Sequence, residues 1–264
     1  MTVLAEGYSK CGPKSFMLNK IENALNVRFT TNMLTLTKGK KNNNKYCKYI
    51  YNNFHTKVAA KNRIGPHNAE IISVLFGSVL GDGYANSRTI EGVRFCFRQS
   101  LIHKDYLFWL YKFFLVRGYC SNLEPRKYTR ALKGKIHYGY EFNTYTFRSL
   151  KWIHSMFYKN GIKYINPNIV EYITPLSLAI WIMDDGGLAK PGLRLATNSF
   201  TFEEVKLLHN MLTIKFNLDC TIQHLNSIDR WSIYIKGSSI TKLKELVLPY
   251  MHTSMHYKLG EIAS

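Results

Sequence analysis

Residues 72–83, Ile-Ser-Val-Leu-Phe-Gly-Ser-Val-Leu-Gly-Asp-Gly, form an apolar run that ends in Asp82-Gly83. A second run over residues 178–187, Leu-Ala-Ile-Trp-Ile-Met-Asp-Asp-Gly-Gly, contains the same ending at Asp185-Gly186. Each run is long enough for about three helical turns, and a glycine after the aspartate is a natural helix stop. The pattern therefore predicts two helices, each with a carboxylate at its C-terminal end.

The placement of these carboxylates indicates a compensating cation. The C-terminal end of a helix is partly negative, so an acidic group there is disfavoured by roughly 0.3–1 kcal/mol. Asn68 is predicted to cap the first helix, and Thr174-Pro175 to supply the N-cap and first turn of the second. If the helices pack side by side, Asp82 and Asp185 converge, and two converging carboxylates favour a divalent metal ion.

The two runs resemble the motif of the LAGLIDADG homing endonucleases, whose nine positions fall on Leu75–Gly83 and Leu178–Gly186. The resemblance covers roughly residues 68–259 and is closest to the single-chain, two-motif members encoded in organellar introns. It implies an α+β fold of two pseudo-symmetric αββαββα half-domains. The motif helices would form the seam, and the antiparallel sheets would form a DNA-binding saddle.

Small residues form a stripe on the first motif helix only. Ser73, Gly77 and Gly81 recur every four residues, so another backbone can approach that face closely. The second motif has Ile180 and Asp184 where the family often has small residues. If the two halves pack unequally, the cuts in the two DNA strands need not be equivalent.

The remaining sequence predicts the same order of elements in both halves. A basic N-terminal extension is predicted for residues 1–66, a first half-domain for 67–166 and a second for 167–264. Residues 124–130 are interpreted as a basic turn. The predicted strands cover residues 92–99, 137–147, 193–198, 220–225 and 231–235, and the predicted helices cover residues 103–115, 150–158, 201–212 and 238–247.

The composition points to a nucleic-acid partner. The chain has 36 Lys and Arg against 17 Asp and Glu, a formal charge of +19, which favours a polyanion. No apolar run approaches the ~18 residues of a membrane span. The five cysteines lack metal-ligand spacing and indicate a non-oxidising compartment. No transit-peptide pattern is present, which favours synthesis inside an organelle.

The extension over residues 1–66 has two interpretations. It carries 12 Lys and Arg and only two Glu, so it could contact DNA phosphates. The alternative is a leader read through from upstream coding sequence.

The resemblance implies a set of catalytic residues. Asp82 and Asp185 are predicted to bind metal, together with Gly81 and Asp184, although a structural role is favoured for Asp184. Gln99 and Asn198 end equivalent predicted strands and either orient water or cap the strand. Lys163 and Lys258 either stabilise charge near the scissile phosphates or are simply solvated.

The exposed faces of the strands are predicted to contact bases and phosphates, because a two-stranded ribbon can enter the major groove. The candidates are Arg88, Arg94, Arg98, Arg126, Lys133, Lys135, Arg194, Gln223, His224, Arg230 and Lys236.

Three functions are compatible with the sequence. The leading hypothesis is a monomeric, site-specific, Mg²⁺-dependent double-strand DNA endonuclease for intron mobility in the mitochondrion, with the chloroplast as the alternative. Mn²⁺ is an alternative metal, and Ca²⁺ is expected to bind without supporting cleavage. The second hypothesis is an RNA maturase that binds its own group I intron, with or without cutting DNA. A non-catalytic DNA-binding module is weaker because it gives the paired aspartates no role.

Overall fold

The computed structural model describes residues 58–89, 92–225 and 230–261. The predicted extension therefore lies outside the described residues up to position 57. No helix within the described ranges is long and apolar enough to cross a membrane.

The first half has the αββαββα order that the resemblance implies, although no strand was predicted over residues 84–89 or 126–132. A short hairpin and helix α4 (Ile169–Tyr172) connect it to the second half. The elements are helix α1 (Ala69–Leu80), strands β1 (Tyr84–Thr89) and β2 (Gly92–Ser100), helix α2 (Lys104–Val116), strands β3 (Arg126–Leu132) and β4 (Lys135–Asn143), helix α3 (Lys151–Phe157), and the hairpin strands β5 (Tyr158–Lys159) and β6 (Ile162–Lys163).

The second half repeats this order, and the predicted α+β fold of two αββαββα units is confirmed. The four-stranded sheets have the equivalent orders β1-β2-β4-β3 and β7-β8-β10-β9. The boundary near residue 166 stays a prediction. The elements are helix α5 (Pro175–Asp185), strands β7 (Gly186–Ala189) and β8 (Gly192–Ala196), helix α6 (Phe202–Phe216), strands β9 (Cys220–His224) and β10 (Trp231–Ile235), and helix α7 (Ile240–Val247), followed by a 3-10 helix over Thr253–Leu259.

Side-chain caps explain where both motif helices begin. The Asn68 side chain accepts a hydrogen bond from the backbone N–H of Glu70 at 2.8 Å. Thr174 and Ser177 form a reciprocal capping box, with Pro175 in the first turn. The first N–H groups of a helix have no intrahelical partner, so these side chains satisfy them. Both predicted N-caps are confirmed.

The two motif helices end differently. Helix α1 stops at Leu80, and the N–H of Gly81 bonds to the carbonyl of Gly77 at 3.1 Å, so Asp82 lies beyond the helix. Helix α5 continues through Asp185, with Gly186 as its C-cap. The equivalent aspartates therefore have different backbone settings.

The seam between α1 and α5 pairs small residues with larger ones. A Cβ added to Gly77 would lie 2.8 Å from the Cβ of Ile180, and one added to Gly81 would lie 2.5 Å from the Cβ of Asp184. Ile180 and Asp184 occupy the motif positions equivalent to Gly77 and Gly81. The helices approach closely because Gly77 in α1 leaves room for Ile180, and Gly81 at the C-cap of α1 leaves room for Asp184.

Alternation along β2 separates the core from the opposite face of the sheet. Phe95 and Phe97 are buried, and the ring of Phe97 stacks on Phe142 with centroids 4.7 Å apart. Because successive side chains point to opposite faces, Arg94 and Arg98 lie away from this core. The predicted basic face is confirmed at Arg98, which is exposed.

Residues 126–132 form a strand, so the prediction of a basic turn over residues 124–130 is wrong. Strand β3 pairs with β4 from Arg126↔Glu141 to Leu132↔Lys135. Most of β3 and the first residues of β4 are exposed on both faces, so this segment lacks the apolar alternation of a half-buried strand. The result is an exposed, basic two-stranded ribbon.

The described cysteines are buried thiols. Cys96, Cys120 and Cys220 are free, and burial raises the pKa of Cys120 and of Cys220 to about 12. The non-oxidising compartment that the cysteines indicate stays a prediction.

Candidate metal and nucleic-acid site

Asp82 and Asp185 lie at the end of the seam, one from each half. Asp82 is exposed, whereas Asp185 is partly buried. The pKa of Asp185 is raised to about 7, first by burial and second by the negative charge of Asp82. The sequence prediction that these two carboxylates converge is supported by this mutual repulsion.

Asp184 is held by three donors across the seam. Its Oδ1 accepts hydrogen bonds from Tyr106 Oη at 3.0 Å and from Gln99 Nε2 at 3.1 Å. Its Oδ2 accepts one from the backbone N–H of Asp82 at 3.3 Å. Burial, followed by the charge of Asp82, raises the pKa of Asp184. These contacts favour the structural role for Asp184, and its metal-ligand role stays a prediction.

Gln99 connects the carboxylates to a chain of hydrogen bonds that crosses between the halves. Besides its bond to Asp184, Gln99 Nε2 donates to Asp82 Oδ2 at 2.9 Å. The other atom of the amide, Oε1, lies 3.2 Å from His103 Nδ1. Because Oε1 can only accept, His103 Nδ1 carries the proton. His103 Nε2 therefore accepts from Tyr257 Oη, at 3.1 Å.

Lys258 places a positive charge at the C-terminal end of helix α5. Its side chain is buried, and its ammonium donates to the carbonyls of Met183 and Asp184, the latter at 2.8 Å. Burial lowers the pKa of Lys258, and the charges of Asp184, Asp82 and Asp185 oppose that shift. Lys258 is therefore a helix cap as well as a candidate catalytic group.

Lys163 ends strand β6 on the Asp185 side of the site. Its Nζ lies 5.1 Å from the centroid of the Phe200 ring. Burial lowers the pKa of Lys163, and among the opposing charges that of Asp185 is the largest. Lys163 is only partly exposed and has the charge of Asp185 nearby, which favours the catalytic interpretation over a simply solvated lysine.

The predicted equivalence of Gln99 and Asn198 is wrong. Tyr84 pairs with Cys96 in the first sheet, and the equivalent Gly187 pairs with Arg194 in the second. Counting onward, the residue equivalent to Gln99 is Thr197, which is buried and bonds to the Trp231 carbonyl at 2.7 Å. The two predicted strand ends are therefore one residue out of register with each other. Asn198 is exposed, and its catalytic role stays a prediction.

The donor chemistry at the seam fits a hard divalent cation. Asp82 and Asp185 supply carboxylate oxygens whose mutual repulsion a cation would relieve. Across the described ranges, no group of three or more His, Cys, Asp or Glu residues is arranged to hold a metal ion. The other ligands would therefore be backbone oxygens such as that of Gly81, water, or phosphate. The role of Gly81 stays a prediction.

The predicted DNA-contact residues lie on or beside the strands of both sheets. Arg98 and Arg126 both contact Glu141, Arg194 Nη2 lies 3.4 Å from Gln223 Oε1, and Lys236 forms an ion pair with Asp219 at 3.0 Å. Their contacts with DNA stay predictions. By position, Arg88 is in β1, Arg94 and Arg98 in β2, Arg126 in β3, Lys133 in the β3–β4 turn, Lys135 in β4, Arg194 in β8, Gln223 and His224 in β9, and Arg230 and Lys236 beside β10.

Sequence reasoning missed His103, Tyr106, Glu141 and Tyr257. His103 and Tyr106 lie in a segment that was interpreted only as an amphipathic helix. Glu141 lies among alternating aromatic residues, as the one acidic residue of its strand. Its isolation in a basic sheet was the available signal.

Comparison with known proteins agrees with this architecture. The fold and the site define a class of single-chain proteins with two Asp-Gly helices and two equivalent sheets. Residues 72–243 match the LAGLIDADG DNA endonuclease family. The chain belongs to this family of DNA-cleaving enzymes.

Individual relatives include both endonucleases and a maturase. The intron-encoded endonuclease ai4 of Dictyostelium discoideum is 51% identical over 156 residues, which cover 57% of this chain and 98% of that protein. The cytochrome b mRNA maturase bI2 of Debaryomyces hansenii is 39% identical over 197 residues, which cover 74% and 75%. The homing endonuclease I-WcaI, solved with its DNA recognition sequence, has a TM-score of 0.67 at 28% identity, covering 85% of this chain and 96% of that one.

Proposed function

We propose that the protein is a site-specific DNA endonuclease that cuts both strands of a long asymmetric target, with Mg²⁺ as its metal. The observation that carries this proposal is the pair Asp82 and Asp185, one from each equivalent half, at the end of one seam. A non-catalytic module has no use for two carboxylates placed so that the charge of Asp82 raises the pKa of Asp185.

The metal would supply Lewis-acid activation and lower the pKa of an attacking water. The residues of the chain hold this site. Asp82 and Asp185 provide the carboxylates, and Gln99 orients Asp82 by its hydrogen bond. Lys163 and Lys258 bring positive charge beside the carboxylates, where it can stabilise charge that develops on a phosphate.

The asymmetry of the chain favours an asymmetric target. One chain provides both sheets, so a monomer is sufficient to contact both half-sites. The exposed β3–β4 ribbon has only short strands, β9 and β10, as its counterpart in the second half. The two half-sites would therefore be contacted differently.

The second candidate is an RNA maturase. It is favoured by the 39% identity to a cytochrome b mRNA maturase, a match that spans 75% of that protein. Cytochrome b is encoded in mitochondria, so the same relative supports a mitochondrial location. The two functions need not exclude each other, because DNA cutting uses the seam and leaves other surfaces for RNA.

A cleavage assay on DNA that contains the uninterrupted insertion site tests the leading proposal. Cutting should require Mg²⁺ or Mn²⁺, and Ca²⁺ should support binding only. Asp82→Asn and Asp185→Asn should each abolish double-strand cutting and leave DNA affinity largely unchanged. Cutting that persists in both variants would overturn the metal-site assignment. A splicing assay with the intron RNA, with and without the protein, tests the maturase alternative.

A further inference from the structure

Three charged side chains form a continuous row across the first sheet. Arg98 in β2 and Arg126 in β3 both pair in register with Glu141 in β4, which lies between them. Directly paired residues lie on the same face of a sheet. Glu141 Oε2 accepts from Arg98 Nε, and Glu141 Oε1 accepts from Arg126 Nε. Each carboxylate oxygen therefore holds one arginine.

The row lies on the face that is turned away from the core. Its strand neighbours Phe97 and Phe142 stack on each other in the core, so the alternating residues Arg98 and Glu141 point the opposite way. The Glu141 side chain is only 6% exposed, whereas those of Arg98 and Arg126 are 51% and 74% exposed. The carboxylate is thus covered and the arginines face solvent.

Aromatic rings restrict Arg98 further. Its guanidinium carbon lies 5.9 Å from the centroid of the Tyr84 ring and 5.7 Å from that of Tyr128. The row and residues 127–130 line a pocket of about 440 Å³. Arg98 therefore has a fixed plane at the edge of an open pocket.

A carboxylate on this face repels DNA phosphates, so Glu141 does not increase the affinity for DNA by its own charge. A free arginine can neutralise a phosphate, but phosphate contacts carry no sequence information. Glu141 engages Arg98 through Nε and leaves its two terminal nitrogens, which can bind guanine O6 and N7 as a bidentate pair. Fixing the guanidinium plane converts a mobile charge into a base-reading group.

We propose that Glu141 is a specificity-determining residue that holds Arg98 in position to read a guanine in the target. Arg126 occupies the second carboxylate oxygen, so the row of two arginines and one glutamate keeps a net positive charge towards DNA. The proposal rests on the proposed function, because it assumes that this face contacts the major groove.

The second sheet has no equivalent row. Counting along the strand registers, the positions that correspond to Arg98, Glu141 and Arg126 hold Ala196, Ser232 and Gln223. The guanine contact therefore belongs to one half-site only, and the row contributes to the asymmetry of the target.

The test is selection of bound sequences from a randomised DNA library in Ca²⁺, followed by competition binding at fixed salt. Wild-type protein should select guanine at one position of the half-site under the first sheet. In Glu141→Gln, discrimination at that position should fall about 5- to 150-fold, the range for a good bidentate contact. Affinity for unrelated DNA should stay equal or rise, because a negative charge is lost.

The matched control is Glu203→Gln, which removes a negative charge from an exposed ion pair with Lys206 on α6. It should leave discrimination unchanged. Arg98→Lys is a second variant, which keeps the charge, removes the planar fork and should lose the same guanine preference.

Unchanged sequence profiles of Glu141→Gln and Arg98→Lys, with a sequence-specific wild type, would overturn this proposal alone. A wild-type protein that selects no sequence would overturn the proposed endonuclease function as well. If Glu141→Gln fails to fold, as circular dichroism would reveal, Arg98→Lys decides the matter.

Discussion

The backbone of Gly81 lies directly against the side chain of Asp184, so that an added Cβ would lie 2.5 Å from the Asp184 Cβ. This contact is the point where the two halves meet beside both candidate metal ligands. It couples the packing of the seam to the position of Asp82, whose backbone N–H bonds to Asp184.

The substitution Gly81→Ala should therefore destabilise the protein and slow cleavage. Overpacking of a close contact costs typically about 1–3 kcal/mol, and the seam must open for the new methyl group. Urea unfolding would measure the free energy of unfolding. Gly187→Ala is the control, since nothing lies within 4 Å of an added Cβ there. Equal effects of the two substitutions would contradict the seam argument.

The substitution Asp185→Asn should raise the melting temperature of the metal-free protein at pH 8. The pKa of Asp185 is about 7 in the fold against an ordinary value of 3.8, so the folded state binds the proton more tightly than the unfolded chain. Stability from this group is therefore present at low pH and is lost as the pH rises through 7. The advantage of the variant should shrink towards pH 5.

Added Mg²⁺ should reverse the order of the melting temperatures of the wild type and Asp185→Asn. A cation that binds the folded state raises its stability, so Mg²⁺ should raise the melting temperature of the wild type more than that of Asp185→Asn. Thermal melts in EDTA and in Mg²⁺ make the comparison, with the exposed Glu245→Gln as control. No difference in the response to Mg²⁺ would argue against Asp185 as a ligand.

The substitution Tyr257→Phe should slow the cutting of one strand more than that of the other. It removes the donor to His103 and so loosens the chain that orients Gln99 and Asp82. A net loss of about 1 kcal/mol for one hydrogen bond corresponds to roughly fivefold. Separately labelled strands give the two rates.

The control for this variant is Tyr250→Phe, because the Tyr250 hydroxyl makes no hydrogen bond to another described residue. His103→Ala should change the strand ratio in the same direction as Tyr257→Phe. Equal slowing of both strands would mean that the chain acts on overall stability rather than on Asp82.

Replacement of the two lysines by methionine should separate stability from catalysis. Lys258→Met leaves the carbonyls of Met183 and Asp184 without their donor, and an unsatisfied buried group costs about 1–3 kcal/mol. Lys163→Met loses a ring contact rather than hydrogen bonds among the described residues. Both should reduce cutting, and only Lys258→Met should lower the melting temperature markedly.

The turn end of the β3–β4 ribbon, at Lys133 and Lys135, should contribute to affinity without contributing to base preference. Lys133→Gln with Lys135→Gln should reduce the slope of log affinity against log salt by about 0.9 for each lost phosphate contact. Titrations at several salt concentrations measure the slope, with the exposed Lys242→Gln on α7 as control. A changed sequence preference with an unchanged slope would assign these lysines to base reading instead.

The sequence by itself determined the repeat, the helix caps and five of the ten described strands, namely β2, β4, β8, β9 and β10. Asp-Gly endings, the Asn68 cap and the Thr174-Pro175 helix start are local signals, because each depends on groups within a few residues. The alternation of Val93, Phe95 and Phe97 identified a half-buried strand for the same reason. Strand β3 was not predicted, because a ribbon exposed on both faces has no alternating apolar pattern.

Only the tertiary structure decided which side chains meet. The pairing of Gly81 with Asp184, and the chain from Tyr257 to Asp82, join residues that are distant in sequence. The predicted strand end selected Asn198 where the fold places Thr197, and a one-residue difference in register moves a side chain to the other face of the sheet. The burial of Glu141 between Arg98 and Arg126 likewise depends on three strands coming together, and no local pattern contains that information.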